Sequence, residues 1–111
     1  MIEHKLHIAK EAVTEKKACD AIVMDLRGIS AVTDYFLVCS GQNPIQVKAI
    51  TDNVIKRMQE SGYPLPAREG YQEGRWILLD YGDLIVHVMH QAERDFYSLE
   101  DLWHDAKVLS N

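Results

Sequence analysis

Arg75–Met89, RWILLDYGDLIVHVM, decides the fold of this chain. Two apolar runs flank a Tyr81-Gly82 step, the pattern of an antiparallel β-hairpin. Side chains alternate faces along a strand, so closing the hairpin on Tyr81-Gly82 sorts them into two sets. Ile77 and Leu79 share a face with Leu84, Val86 and Val88, an aliphatic surface suited to a core. Trp76, Leu78 and Asp80 fall opposite, with Asp83, Ile85, His87 and Met89, and Trp76 stands directly across from His87. A face that mixes an indole, an imidazole, a thioether and two carboxylates is a poor core and a good docking surface. The register rests on the turn. Tyr is unfavourable at a position that needs positive φ, so a type II-like turn with Gly82 third, or a four-residue loop Asp80–Asp83, preserves the pairing. A three-residue loop shifts it.

Outward from the hairpin, the chain reads as alternating elements. Ile2, Leu6, Ala9 and Val13 recur at helical spacing, which predicts a helix over 2–17. Ala21–Leu26 reads as a strand broken by Arg27–Ser30. Tyr35–Cys39, YFLVC, is apolar without alternation, the mark of a strand buried on both faces. Asn43 is a good N-cap, Pro44 suits a first helical turn and Gln46 completes a capping-box-like start. Val47, Ile50, Val54 and Met58 form that helix's apolar stripe, and Gly62 its end. Residues 63–74, with two prolines and two glycines, read as a loop. After the hairpin, Ala92–Tyr97 looks helical. Ser98–Asp101 resembles a second capping box opening a final helix to about Val108, with Leu99, Leu102, Trp103 and Ala106 inward. The order α-β-β-α-β-β-α, without repeats or linkers, predicts one α/β domain over 1–111, a small mixed sheet packed with helices.

Bulk properties narrow the function classes. With 111 residues, 47% of them hydrophobic, the chain can bury a core unaided. No apolar run approaches the ~20 residues of a membrane helix, and the charged N-terminal stretch does not read as a signal peptide. Two cysteines, Cys19 and Cys39, suggest neither a disulfide framework nor a metal cluster, so the expected location is cytoplasmic. A net charge of −5 argues against nucleic-acid binding as the main activity and suits a basic protein partner; equally, the acids can serve solubility alone.

No enzyme constellation assembles. The strand–Ser40-Gly41–helix junction resembles an anion cradle but has neither a Gly-rich fingerprint nor a lysine for a phosphate. Asp80 and Asp83 could hold Mg²⁺ for nucleotidyl transfer only if a third carboxylate converged, and Asp25 is the one candidate. Turn-flanking aspartates otherwise bond nearby amides. His87 and His90 stand three apart on a strand end and point to opposite faces. His87 is either a ring packed on Trp76 or a partner contact, and the two roles are compatible. Cys39, in a buried strand, has no base nearby. Catalysis, metal ligands and cofactors are therefore not expected.

Several segments together resemble the ribosomal silencing factor family, also called RsfS or Iojap-like proteins. They are Asp34–Val38 with Ser40-Gly41, Gln46-Val47, Ala49-Ile50, Glu69-Gly70, Trp76–Asp83, Val86–Val88, Arg94, Tyr97, Leu99-Glu100 and Leu102-Trp103. The family commonly carries arginine where this chain has Ile45 and phenylalanine where Met89 stands, so any contact made by that arginine is in doubt here. The resemblance implies a nucleotidyltransferase-like α/β fold without catalytic carboxylates. It also implies a homodimer, and a translation repressor that binds the large ribosomal subunit through its ribosomal protein fourteen and sterically blocks joining of the small subunit. Placed on the hairpin, that function makes Trp76 the apolar anchor, extended by Leu78, Ile85 and Met89. Asp80 and Asp83 become rim contacts to basic groups, and Tyr81 and His87 hydrogen-bonding groups. The competing reading has a helix or a second copy covering Trp76 and Met89. The alternative function is a small Mg²⁺-dependent nucleotide-binding or nucleotidyl-transfer enzyme.

Overall fold

The hairpin forms, but one turn residue later than its apolar pattern suggests. In the computed structural model, which describes residues 2–97 and 107–109, β4 (Trp76–Asp80) pairs antiparallel with β5 (Leu84–His90), and Asp80 faces Ile85. The Tyr81 amide donates to the Leu84 carbonyl at 2.8 Å, so the chain reverses on Gly82-Asp83. Gly82 takes the left-handed conformation, φ 89°, that a tyrosine would resist. Trp76 therefore stands opposite Met89, and Leu78 opposite His87; Trp76 is not across from His87. The register differs by two, not one, so the paired strand residues keep their faces, while Asp83 becomes a turn residue held from the helix side by Lys5.

The remaining elements are α1 (Ile2–Glu15), β1 (Cys19–Asp25), β2 (Tyr35–Gly41), α2 (Pro44–Glu60), β3 (Ala67–Glu69), α3 (Gln91–Tyr97) and β6 (Lys107–Leu109). The strands form one sheet in the order β3-β4-β5-β2-β1-β6, antiparallel except for the central β2–β5 pair. This is the mixed sheet packed with helices that the sequence predicts. All seven residues of β2 are buried, as its lack of alternation requires. On one side of the sheet, Val23, Tyr35, Leu37, Cys39, Ile77, Leu79, Leu84, Val86 and Val88 meet Ala9, Ala12 and Val13 of α1 and Val47, Ile50, Val54 and Met58 of α2.

The helix ends have physical reasons. At α2, the Asn43 side chain accepts from the Gln46 amide at 2.8 Å, and Gln46 Oε1 accepts from the Gln42 amide. The chain leaves this helix through Gly62 at φ 92°, with the Gly62 amide bonded to Gln59 and that of Tyr63 to Met58. The same two-bond exit closes α1 two residues before the periodicity fades, and there Lys17 occupies the left-handed position at φ 60°. A helix stop without glycine leaves no signal in the sequence. Gln46 Nε2 donates to the freed carbonyls of Lys16 and Lys17, tying the end of α1 to the start of α2.

Two further expectations change. Residues 63–74 contain β3, whose three exposed residues carry no apolar pattern. Of the final helix, residues 98–106, with Leu99, Leu102, Trp103 and Ala106, lie outside the described residues. Lys107–Leu109 is a strand on β1, where pairing with an open sheet edge outweighs local helical preference.

Candidate docking face around Trp76

The face opposite α1 and α2 is built in rows across the sheet. Val38, His87, Leu78 and Glu69 form one row; Ser40, Met89 and Trp76 the next; Phe36, Ile85, Asp80 and Ala67 the third. Burial divides these rows. Met89 is 0% exposed, His87 4% and Ile85 6%, and with Met24, Leu26, Phe36 and Val38 they make a second apolar layer. Trp76, Leu78 and Asp80, on β4, are only half-buried. The mixed face is thus a core over β5, β2 and β1 and a surface along β4. Ile85, His87 and Met89, expected at the surface, support it from below, because the central strands are covered on both faces.

Trp76 is held from beneath. Its indole Nε1 donates to His87 Nδ1 at 3.0 Å, reaching diagonally across the hairpin. His87 and Phe36 meet in a T-shaped contact with ring centroids 4.4 Å apart. Burial pushes the His87 imidazole down to about 4, so the ring is neutral. Since Nδ1 accepts, the proton sits on Nε2, which is buried without a hydrogen-bond partner among the described residues. His87 is therefore a satisfied acceptor for Trp76 rather than a surface contact.

The hairpin tip is also differently employed. Asp80 accepts from the Gly82 amide at 2.8 Å, the local role common to turn aspartates. Asp83 pairs with Lys5 Nζ of α1 at 2.7 Å, and Lys5 also reaches the Tyr81 carbonyl. The Asp83 charge expected to meet a partner is thus already matched from the helix side. Tyr81 packs against the helix-side core with its hydroxyl buried and, among the described residues, unpartnered, and burial raises it to about 12. That hydroxyl cannot reach a molecule docked on the Trp76 face.

The edge strand β3 supplies what the apolar pattern did not indicate. Glu69 lies beside Leu78 in register, and Gly70 follows at φ 81°. A Cβ on Gly70 would fall 2.1 Å from the Trp76 carbonyl oxygen, so only glycine lets β3 close onto β4 there. Glu69, Gly70, Trp76 and Leu78 enclose a shallow hollow of about 230 Å³. The Glu69-Gly70 pair is visible in the sequence as a motif, without an indication that it borders the hairpin.

The groups considered for metal or nucleotide chemistry are dispersed. Asp25 shares the helix side with Val23 and Tyr35 and is held by Arg27 at 2.7 and 2.9 Å, on the opposite face of the sheet from Asp80, while Asp83 is paired with Lys5. Among the described residues, no three His, Cys, Asp or Glu side chains gather as a metal site. Ser40 Oγ bonds to the Cys19 carbonyl and to Gln91 Oε1. At Gly41, a Cβ would meet Val47 Cγ2 at 3.1 Å and the Val47 amide nitrogen at 3.2 Å, so the helix start itself fills the junction. His90 Nδ1 accepts from the Ala92 amide at the start of α3. Burial holds the Cys39 thiol at about 12, far from a thiolate.

The structure is thus a small mixed sheet with α1 and α2 over one side and a half-buried Trp76–Leu78 edge on the other. The chain belongs to the family described as ribosomal silencing factor during starvation, whose model matches residues 1–111. It is 45% identical over 104 residues to the ribosomal silencing factor RsfS of Halalkalibacterium halodurans, covering 94% of this chain and 89% of that protein. The RsfS of Bacillus subtilis is 46% identical over 103 residues, 93% of this chain and 87% of that one. A crystal structure of a Chromobacterium violaceum protein superposes with a TM-score of 0.90 at 35% identity, covering 94% of this chain and 87% of the other.

Proposed function

We propose that this chain is a translation repressor. It docks on the large ribosomal subunit, through that subunit's ribosomal protein fourteen, and sterically blocks joining of the small subunit. Its membership of a family whose relatives are named ribosomal silencing factors carries the reading. The half-buried Trp76 and Leu78 along β4 supply a surface of suitable chemistry, since aromatic anchors dominate the energetics of interfaces. Action by occlusion needs no catalytic group. The same reading takes residues 1–111 as one functional domain that works in the cytoplasm, and the free protein as a homodimer.

Within this proposal, Trp76 anchors, Leu78 and Asp80 border it, and Ile85, His87 and Met89 hold the strand that carries it. The test is sedimentation of purified large subunits with the native chain and with Trp76→Ala. The variant should keep its circular dichroism spectrum and lose co-sedimentation. Undiminished binding by the variant removes Trp76 as the anchor.

A further inference from the structure

We propose that the hollow between β3 and β4 receives one cationic side chain, arginine or lysine, from the protein partner. This rests on the reading of the Trp76 edge as the docking edge. Three observations carry it. The cross-strand pairing of Glu69 with Leu78 places the Glu69 side chain on the Trp76 side of the sheet, and Glu69, Trp76 and Leu78 line the same hollow. Glu69 is exposed and, among the described residues, has no hydrogen-bond or ion-pair partner. The acids around it are committed: Asp80 to the Gly82 amide, Asp83 to Lys5 and Glu93 to Arg75.

The hollow's chemistry fits a long cation. Leu78 and the indole offer apolar walls for an alkyl stem, which lysine and arginine bury while keeping their heads polar. The Glu69 carboxylate can accept from the ammonium or guanidinium. Gly70, where a Cβ would fall 2.1 Å from the Trp76 carbonyl oxygen, lets β3 close onto β4 and brings Glu69 beside Leu78. A phosphate would meet an uncompensated carboxylate, so the nucleic-acid backbone is the wrong occupant. The net charge of −5 favours approach by a basic surface.

Purified large ribosomal subunits are the probe, titrated with the full chain at low and at moderate salt. Glu69→Gln should weaken binding roughly tenfold at low salt, Glu69→Lys further, with smaller losses at moderate salt. Glu73→Gln, an exposed acid of the neighbouring loop, should bind as the native chain. Thermal melts of all three should match the native protein. If Trp76→Ala loses binding while both Glu69 variants bind as the native chain, the hollow is not a cation receptor and the docking edge stands. If Trp76→Ala binds normally, or the native chain does not bind at all, the docking reading falls and takes this inference with it.

Discussion

Lowering the pH from 7.5 to 4.5 should cost the native chain stability that a His87→Asn variant does not lose. His87 is neutral in the folded protein because burial lowers it from 6.5 to about 4. In the unfolded chain it takes up a proton below about 6.5, whereas the folded chain holds off until about 4. The unfolded state therefore binds more protons across that window. The contribution is complete above 6.5, declines as the pH falls and is gone once the pH passes through about 4. Each pH unit crossed inside the window is worth about 1.4 kcal/mol, so roughly 2.5 kcal/mol is lost by pH 4.5. Asparagine cannot titrate here, and its side-chain oxygen can stand where Nδ1 accepts from Trp76. Carboxylates titrate in both proteins and cancel in the difference. Urea unfolding followed by circular dichroism at the two pH values measures it. Equal losses in both proteins would refute the claim that His87 is buried and neutral beneath Trp76.

Gly70→Ala should destabilise by at least ~2 kcal/mol in urea melts, because φ 81° and the Trp76 carbonyl at 2.1 Å both exclude a Cβ; a variant within ~0.5 kcal/mol of native would contradict the pairing of β3 on β4. Lys17→Gly should stabilise by about 1 kcal/mol, since the α1 exit already holds that residue at φ 60°; a loss of stability would show that the exit is not left-handed in solution. Met89→Ala should cost about 2–5 kcal/mol, as expected of a fully buried side chain; a cost below ~1 kcal/mol would make the second apolar layer a surface.

Much of the architecture can be read from periodicity. Alternation in Trp76–Asp80 and the continuous run Tyr35–Cys39 report one-sided and two-sided burial, and both hold. Asn43, Pro44, Gln46 and Gly62 mark α2 because caps act locally through side chains and φ. What escapes is not local. A turn starting at Gly82 moves the hairpin register by two without changing any apolar pattern, so Trp76 changes partners invisibly. Strand β3 is Ala-Arg-Glu and gains its identity only from β4 beside it. The candidate site is half legible: Trp76 and Leu78 lie at the surface, while Ile85, His87 and Met89 are beneath it. Their burial comes from the pairing of β5 with the fully buried YFLVC strand, which no spacing in the sequence reveals. Asp83 is committed by Lys5, 78 positions away, which no spacing reveals.

The parallel seam at the centre of the sheet sets an order of assembly. Phe36 meets Ile85, 49 positions away, whereas β1–β2 and β4–β5 close through short connections. Loop-closure entropy makes the seam the late event, with two preformed antiparallel units meeting along it. The Trp76–His87 bond lies wholly within one unit, but Phe36 and Val38, which enclose the imidazole, belong to the other. That order would orient the indole before the ring beneath it loses its water. We expect Leu79→Ala to slow folding more, relative to its equilibrium cost, than Val38→Ala, and the reverse ranking in φ-values would invert the order.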